Sequence, residues 1–126
     1  MIRCLLLLTI SLLTGGCASF FGVEREPLPS RAQIRSFVAD NWTSHSTERM
    51  PPYASLFRSE AHPGETARLI EVRNIWCDYF GSMPECWFDI RAAFSDGHPL
   101  QRHYKTNFSW TADGALEEPT VLVLAH

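Results

Sequence analysis

Along residues 86–95, apolar and polar side chains alternate: Cys86, Phe88, Ile90, Ala92 and Phe94 fall on one side, Trp87, Asp89, Arg91, Ala93 and Ser95 on the other. That period of two predicts a half-buried antiparallel strand. Leu100, Tyr104, Thr106, Phe108 and Trp110 carry the pattern onto the next strand, with Arg102 as its exception. "SDGHP" between them reads as the turn, with Gly97 free to take a positive φ. Setting Ser95 opposite Pro99 pairs Phe94 with Leu100 and Ile90 with Tyr104, and faces Asp89 toward Lys105 on the other surface, so one register suits apolar and charged partners.

The run from residue 67 to Cys77 predicts the preceding strand. With Cys77 opposite Cys86, Trp76 meets Trp87 and Ile75 meets Phe88, but an unbroken ladder would then press Arg73 against Ile90 in the core. A bulge near Arg73 and Asn74 resolves this, bringing Val72 to Ile90, Ile70 to Ala92 and Glu71 to Arg91. "TVLVLA" after Pro119 reads as a last strand, apolar on both faces.

Upstream the period changes. Ile34, Phe37, Val38 and Trp42 recur at helical spacing while Arg31, Arg35 and Asp40 face elsewhere, and Ser30 with Gln33 forms a capping box. This predicts an amphipathic helix over 31–42. Residues 43–66 are polar and proline-rich, and Pro51 and Pro52 predict a helical turn that puts Tyr53, Leu56 and Phe57 on one face. Together the elements predict an α+β class: one amphipathic N-terminal helix packed on a four-stranded antiparallel sheet, a cystatin-like arrangement in shape alone. Residues 30–126 form the single domain.

The opening residues follow another logic. Arg3 precedes an apolar stretch over 5–13, far shorter than the ~20 residues a membrane-spanning helix needs. A positive start, a short apolar run and small residues read as a secretory signal. Leu13, Thr14, Gly15, Gly16 and Cys17 resemble the lipobox of bacterial lipoprotein signals, with Thr14 where leucine is usual. The resemblance implies that residues 1–16 are a signal peptide and that Cys17 is lipidated as the mature N-terminus. It also implies a bacterial cell-envelope protein anchored in the outer membrane, facing the periplasm, with 17–29 as the tether. Cleavage after Ala18, releasing a soluble chain, is the competing reading. Phe20 and Phe21 lie in the tether, at the bilayer interface or docked on the domain.

Both processing routes leave the pair Cys77 and Cys86. An even remainder in an oxidising compartment reads as a disulfide, with a metal site or two free thiols as the alternatives. Removing Arg3 with the leader leaves ten basic against fourteen acidic side chains, a formal charge near −4. That balance argues against a nucleic-acid partner, which needs clustered cations. The apolar fraction of 45% suits a folded domain.

G-x-S-x-G, H-E-x-x-H and a phosphate-binding glycine loop are missing, so the reading leans away from an enzyme, and no cofactor or metal is expected. The candidate binding face is Trp76, Trp87, Asp89, Arg91, His103 and Lys105, on the sheet surface opposite the helix. His45 and His62 in the long loop are the other titratable candidates. Two indoles side by side would give a sugar ring or an apolar residue of a partner an aromatic platform. The reading favours their burial, beneath Phe20, Phe21 or the turn over 53–57. The functional expectation is a membrane-anchored, non-catalytic binding or accessory module holding an envelope protein or glycan. The alternative is a small periplasmic or secreted hydrolase, or an inhibitor.

Overall fold

The computed structural model describes residues 25–44, 51–119 and 123–124. The leader, Cys17, Phe20, Phe21 and His45 lie outside the described residues, as does most of the final apolar run.

Helix α1 (Arg31–Asp40) begins where Ser30 and Gln33 cap each other. The Gln33 N–H donates to Ser30 Oγ at 3.1 Å and the Ser30 N–H to Gln33 Oε1 at 2.8 Å, satisfying donors that a helix start leaves open. Ile34, Phe37 and Val38 form its buried face. It ends two residues earlier than the spacing predicts, because Asn41 folds back and donates Nδ2–H to the Phe37 carbonyl at 2.9 Å. Trp42 still turns into the core, its indole N–H donating to the Ala67 carbonyl at 2.8 Å. The expected turn after Pro52 is a 3-10 turn (Tyr53–Leu56), held to the helix end by Tyr53 N–H to Asn41 O and Ala54 N–H to Trp42 O.

Strands β1 (Arg68–Phe80), β2 (Met83–Ala93) and β3 (Pro99–Asn107) form an antiparallel meander. The expected helix on a four-stranded sheet is corrected here: the chain is mostly sheet, with three long strands and a separate two-stranded ribbon, and the helix has only ten residues. Beside β3, where a full fourth strand was expected, the described residues show a two-residue edge, Val123–Leu124, paired with Tyr104 and Lys105. The ribbon, β4 (Ser109–Trp110) with β5 (Leu116–Glu117), has a physical origin that the pattern hid. After Phe108 the chain turns back within six residues: Thr111 N–H donates to Ala115 O at 2.8 Å, and Gly114 N–H to Thr111 O with Gly114 at φ 85°. Ala112, Asp113 and Gly114 therefore close a local hairpin between β4 and β5. The cystatin-like comparison falls with the four-stranded sheet.

Within the meander, cross-strand pairing follows the cysteines. Cys77 lies opposite Cys86 and is disulfide-bonded to it, Trp76 faces Trp87, and the register shifts between Arg73 and Trp76 as expected. A second irregularity, between Leu69 and Glu71, sets Leu69 opposite Ala92, where Ile70 was expected, and leaves Ile70 exposed. The β2–β3 register is corrected by two residues: Ala93 opposes Pro99, Phe88 opposes Tyr104 and Asp89 opposes His103. The turn is longer than "SDGHP", because Phe94 leaves the ladder for the core and its carbonyl accepts the Gly97 N–H at 3.0 Å. A shift of two preserves which face each side chain takes.

The core lies between α1 and the inner sheet face. Phe37 meets Phe108 edge-on at 5.3 Å, and Tyr104 contacts both Phe88 and Tyr53 at 5.0 Å. Arg102, the exception in the pattern, sits opposite Ile90 and extends its guanidinium over the Phe57 ring, covering the core edge with its apolar stem.

Candidate binding face

On the outer sheet surface, three cross-strand rungs stand in sequence. Trp76, Trp87 and Lys105 form one; Arg73, Asp89 and His103 the next; Glu71, Arg91 and Gln101 the third. All six residues singled out from the sequence thus share one face.

The first rung is aromatic. Trp76 and Trp87 stack at 4.4 Å between ring centroids with a 33° tilt, and the Lys105 ammonium lies 5.4 Å from the Trp87 ring. Lys105 also reaches Glu85 at 3.4 Å. Trp76 is 57% exposed. Burial under the Tyr53 turn is corrected: Tyr53 and Phe57 are themselves sunk in the core on the opposite face. Phe20 and Phe21, the other expected covers, lie outside the described residues.

The second rung is a polar network centred on Asp89, which is only 9% exposed. The bulge supplies one partner. Asn74 sits at φ 54°, a left-handed conformation that asparagine tolerates better than most residues. From there its Nδ2 donates to Asp89 Oδ2 at 2.7 Å. Gln101 Nε2 donates to the same oxygen at 3.3 Å, and His103 Nδ1 meets Oδ1. Burial acts to raise the Asp89 carboxyl, but the hydrogen bonds from Asn74 and His103, with the charges of His103 and Arg73, outweigh it and hold the group below its ordinary value. In the third rung, Arg91 pairs with Glu71 at 2.8 Å, and Arg73 joins Glu71 to Gln101. The Arg91 hydrogen bond leads the effects that lower the Glu71 carboxyl.

An Asp–His pair suggests general-base chemistry, but His103 stands on an open sheet face with its side chain 60% exposed. Clefts lie elsewhere, including a groove of about 580 Å³ lined by Phe57, Arg58, His62 and Glu65. There His62 Nε2 meets Asp96 Oδ2 at 2.8 Å, its Nδ1 lies 3.4 Å from Ser59 Oγ, and its ring stacks on Phe94 at 4.4 Å. Glu65 accepts the Ser95 N–H at 2.6 Å beside it. These contacts clamp the long loop onto the β2–β3 turn. Ser59 Oγ also accepts the Ala61 N–H at 3.2 Å within that loop.

Sequence reasoning missed Glu118. It is 6% exposed, with Tyr53 and Thr106 (2.8 Å) donating to its carboxylate and Tyr104 at 3.5 Å. Burial raises this carboxyl more than those hydrogen bonds lower it, and burial together with the Glu118 charge drives both phenols upward. Enclosed in the core, the cluster fastens the segment after β5. Among the described residues, no group of three or more His, Cys, Asp or Glu side chains is placed to hold a metal. Comparison with protein-family models, curated proteins and solved structures found no match for this chain.

Proposed function

We propose that this protein is a non-catalytic binding module of the bacterial cell envelope, tethered to the outer membrane through lipidated Cys17 and facing the periplasm. Its outer sheet face holds an envelope glycan. Support for the tether comes from the lipobox-like run ending at Cys17 and from the Cys77–Cys86 disulfide, which suits an oxidising compartment.

The observation that carries the binding reading is the half-exposed Trp76, backed by Trp87 and bordered by the Asp89 network. An indole face stacks on the apolar side of a pyranose ring, and the neighbouring His103, Gln101 and Lys105 offer partners for its hydroxyls. Ordered cross-strand rungs would present those groups without further loss of rotamer freedom.

Two measurements test the proposal. Intact mass of the membrane-derived protein should show an acylated chain beginning at Cys17; a lipid-free chain beginning at Ser19 would overturn the anchor. Sedimentation with purified cell-wall sacculi should retain the wild type, and Trp76→Ala should weaken retention about tenfold, or ~1.4 kcal/mol. Equal retention of both proteins, or capture by an envelope protein through the same face with no sacculus binding, would overturn the glycan assignment.

A further inference from the structure

We propose that the tip of the β1–β2 hairpin, led by Phe80, is the surface this protein rests against the lipid bilayer. The inference depends on the lipidated Cys17 proposed above.

Phe80 is 71% exposed at the last position of β1, opposite Met83 across a tight turn. An aromatic side chain this open on a hairpin tip gains little from water and much from a membrane interface. Its place matters because the chain enters the fold at this end of β1. The Arg25 guanidinium lies 4.8 Å above the ring of Tyr79, the residue preceding Phe80. From there the described chain continues across the domain, with Pro27 accepting the Trp110 indole N–H at 2.9 Å and Pro29 buried. Residues 25–29, read from the sequence as tether, are thus held to the domain at Arg25, Pro27 and Pro29.

Eight residue steps separate Cys17 from Arg25. Fully extended they span at most ~29 Å. Strand β1 has 13 residues, or about 40 Å from the tip to the end that carries the β2–β3 turn. An anchor shorter than the sheet keeps the tip end near the lipid and cannot let the domain stand inverted on its far turn. The bilayer is therefore the occupant this geometry favours for the exposed tip. Arg25, over the Tyr79 ring, adds a cation at the height of the lipid phosphates at the same end of the sheet.

The test uses the full lipidated protein in phosphatidylethanolamine–phosphatidylglycerol vesicles, with and without bromine near the top of the acyl chains. Phe80→Trp should add a blue-shifted emission that brominated lipid quenches, as for an interfacial indole. His98→Trp, on the exposed far turn, should add an emission that brominated lipid leaves alone. The four native tryptophans form a common background. If intact mass confirms the lipid while Phe80→Trp stays red-shifted and unquenched, the tip faces solution or another protein. That outcome would overturn this inference and leave the anchor standing. A mass without lipid would overturn both.

Discussion

Glu118 holds a carboxyl inside the core, where Tyr53, Thr106 and Tyr104 surround it. Its neighbour Glu117 points outward and accepts the Ser109 hydroxyl. Nothing in the string "LEEP" separates the two, because the difference arises only when the β4–β5 ribbon folds against β3. Asn74 is the contrasting case. A charged residue that could not enter the core signalled a bulge at Arg73 and Asn74, and the bulge is there. Its consequence, an asparagine amide delivered to Asp89, was not legible because it depends on a left-handed φ. The two carboxyls make opposite contributions to stability against pH. With its pKa raised by burial above the ordinary 4.5, Glu118 binds its proton more tightly in the folded chain than in the unfolded one. Its stabilisation is fully present below the unfolded value and is lost as pH rises through the folded value. Asp89, held low, contributes above its unfolded value and loses that contribution as pH falls through the folded one. Glu118→Gln keeps an acceptor and removes the titration. Urea midpoints measured from acid to neutral pH should show the variant gaining on the wild type as pH rises. A constant difference between the two would mean that Glu118 ionises as easily folded as unfolded.

For the elements, local chemistry was readable and loop length was not. The pairs Glu71–Arg91, Val72–Ile90 and Trp76–Trp87 followed from setting Cys77 opposite Cys86, and the inner and outer sets on β2 and β3 followed from alternation. The β2–β3 slip of two came from Phe94, whose apolar side chain gains more by entering the core than by extending the ladder. Parity survived the slip, so all six residues of the candidate face were identified together even though Asp89 pairs with His103 where Lys105 was expected. The fourth strand failed because a run apolar on both faces gives no period from which to judge pairing length. The β1–β2 hairpin owes part of its persistence to the disulfide, whose cysteines are nine apart in sequence. Closing a loop of that size contributes about 2.5 to 3 kcal/mol in the chain-entropy model. Replacing both cysteines with alanine should lower stability by about that amount. Reductant should then lower the denaturation midpoint of the wild type and leave the variant's unchanged. If reductant has no effect on the wild type, the bond constrains nothing that the strand pairing does not already hold.

For the whole molecule, the sheet divides two kinds of work between its faces. The inner face buries Phe88, Ile90 and Tyr104 in one core with Phe108, which meets Phe37 of α1, all four at most 2% exposed. The outer face carries the aromatic and polar array of Trp76, Trp87, Asp89 and their neighbours. If that array exists to bind, its tryptophans should matter little to folding, whereas a purely structural stack should matter a great deal. Phe88→Ala removes a fully enclosed ring and should cost about 3 to 5 kcal/mol. Trp76→Ala gives up a half-exposed stack and should cost less than about 1 kcal/mol, because much of its surface stays in water in the folded state. The two variants, compared by denaturation with the same probe, separate the faces. A loss of several kcal/mol for Trp76→Ala would place Trp76 in the structural core and remove the basis for a binding platform. A near-neutral Trp76→Ala that still loses its hold on sacculi would assign that residue to recognition, since the fold would have shown that it does not need it.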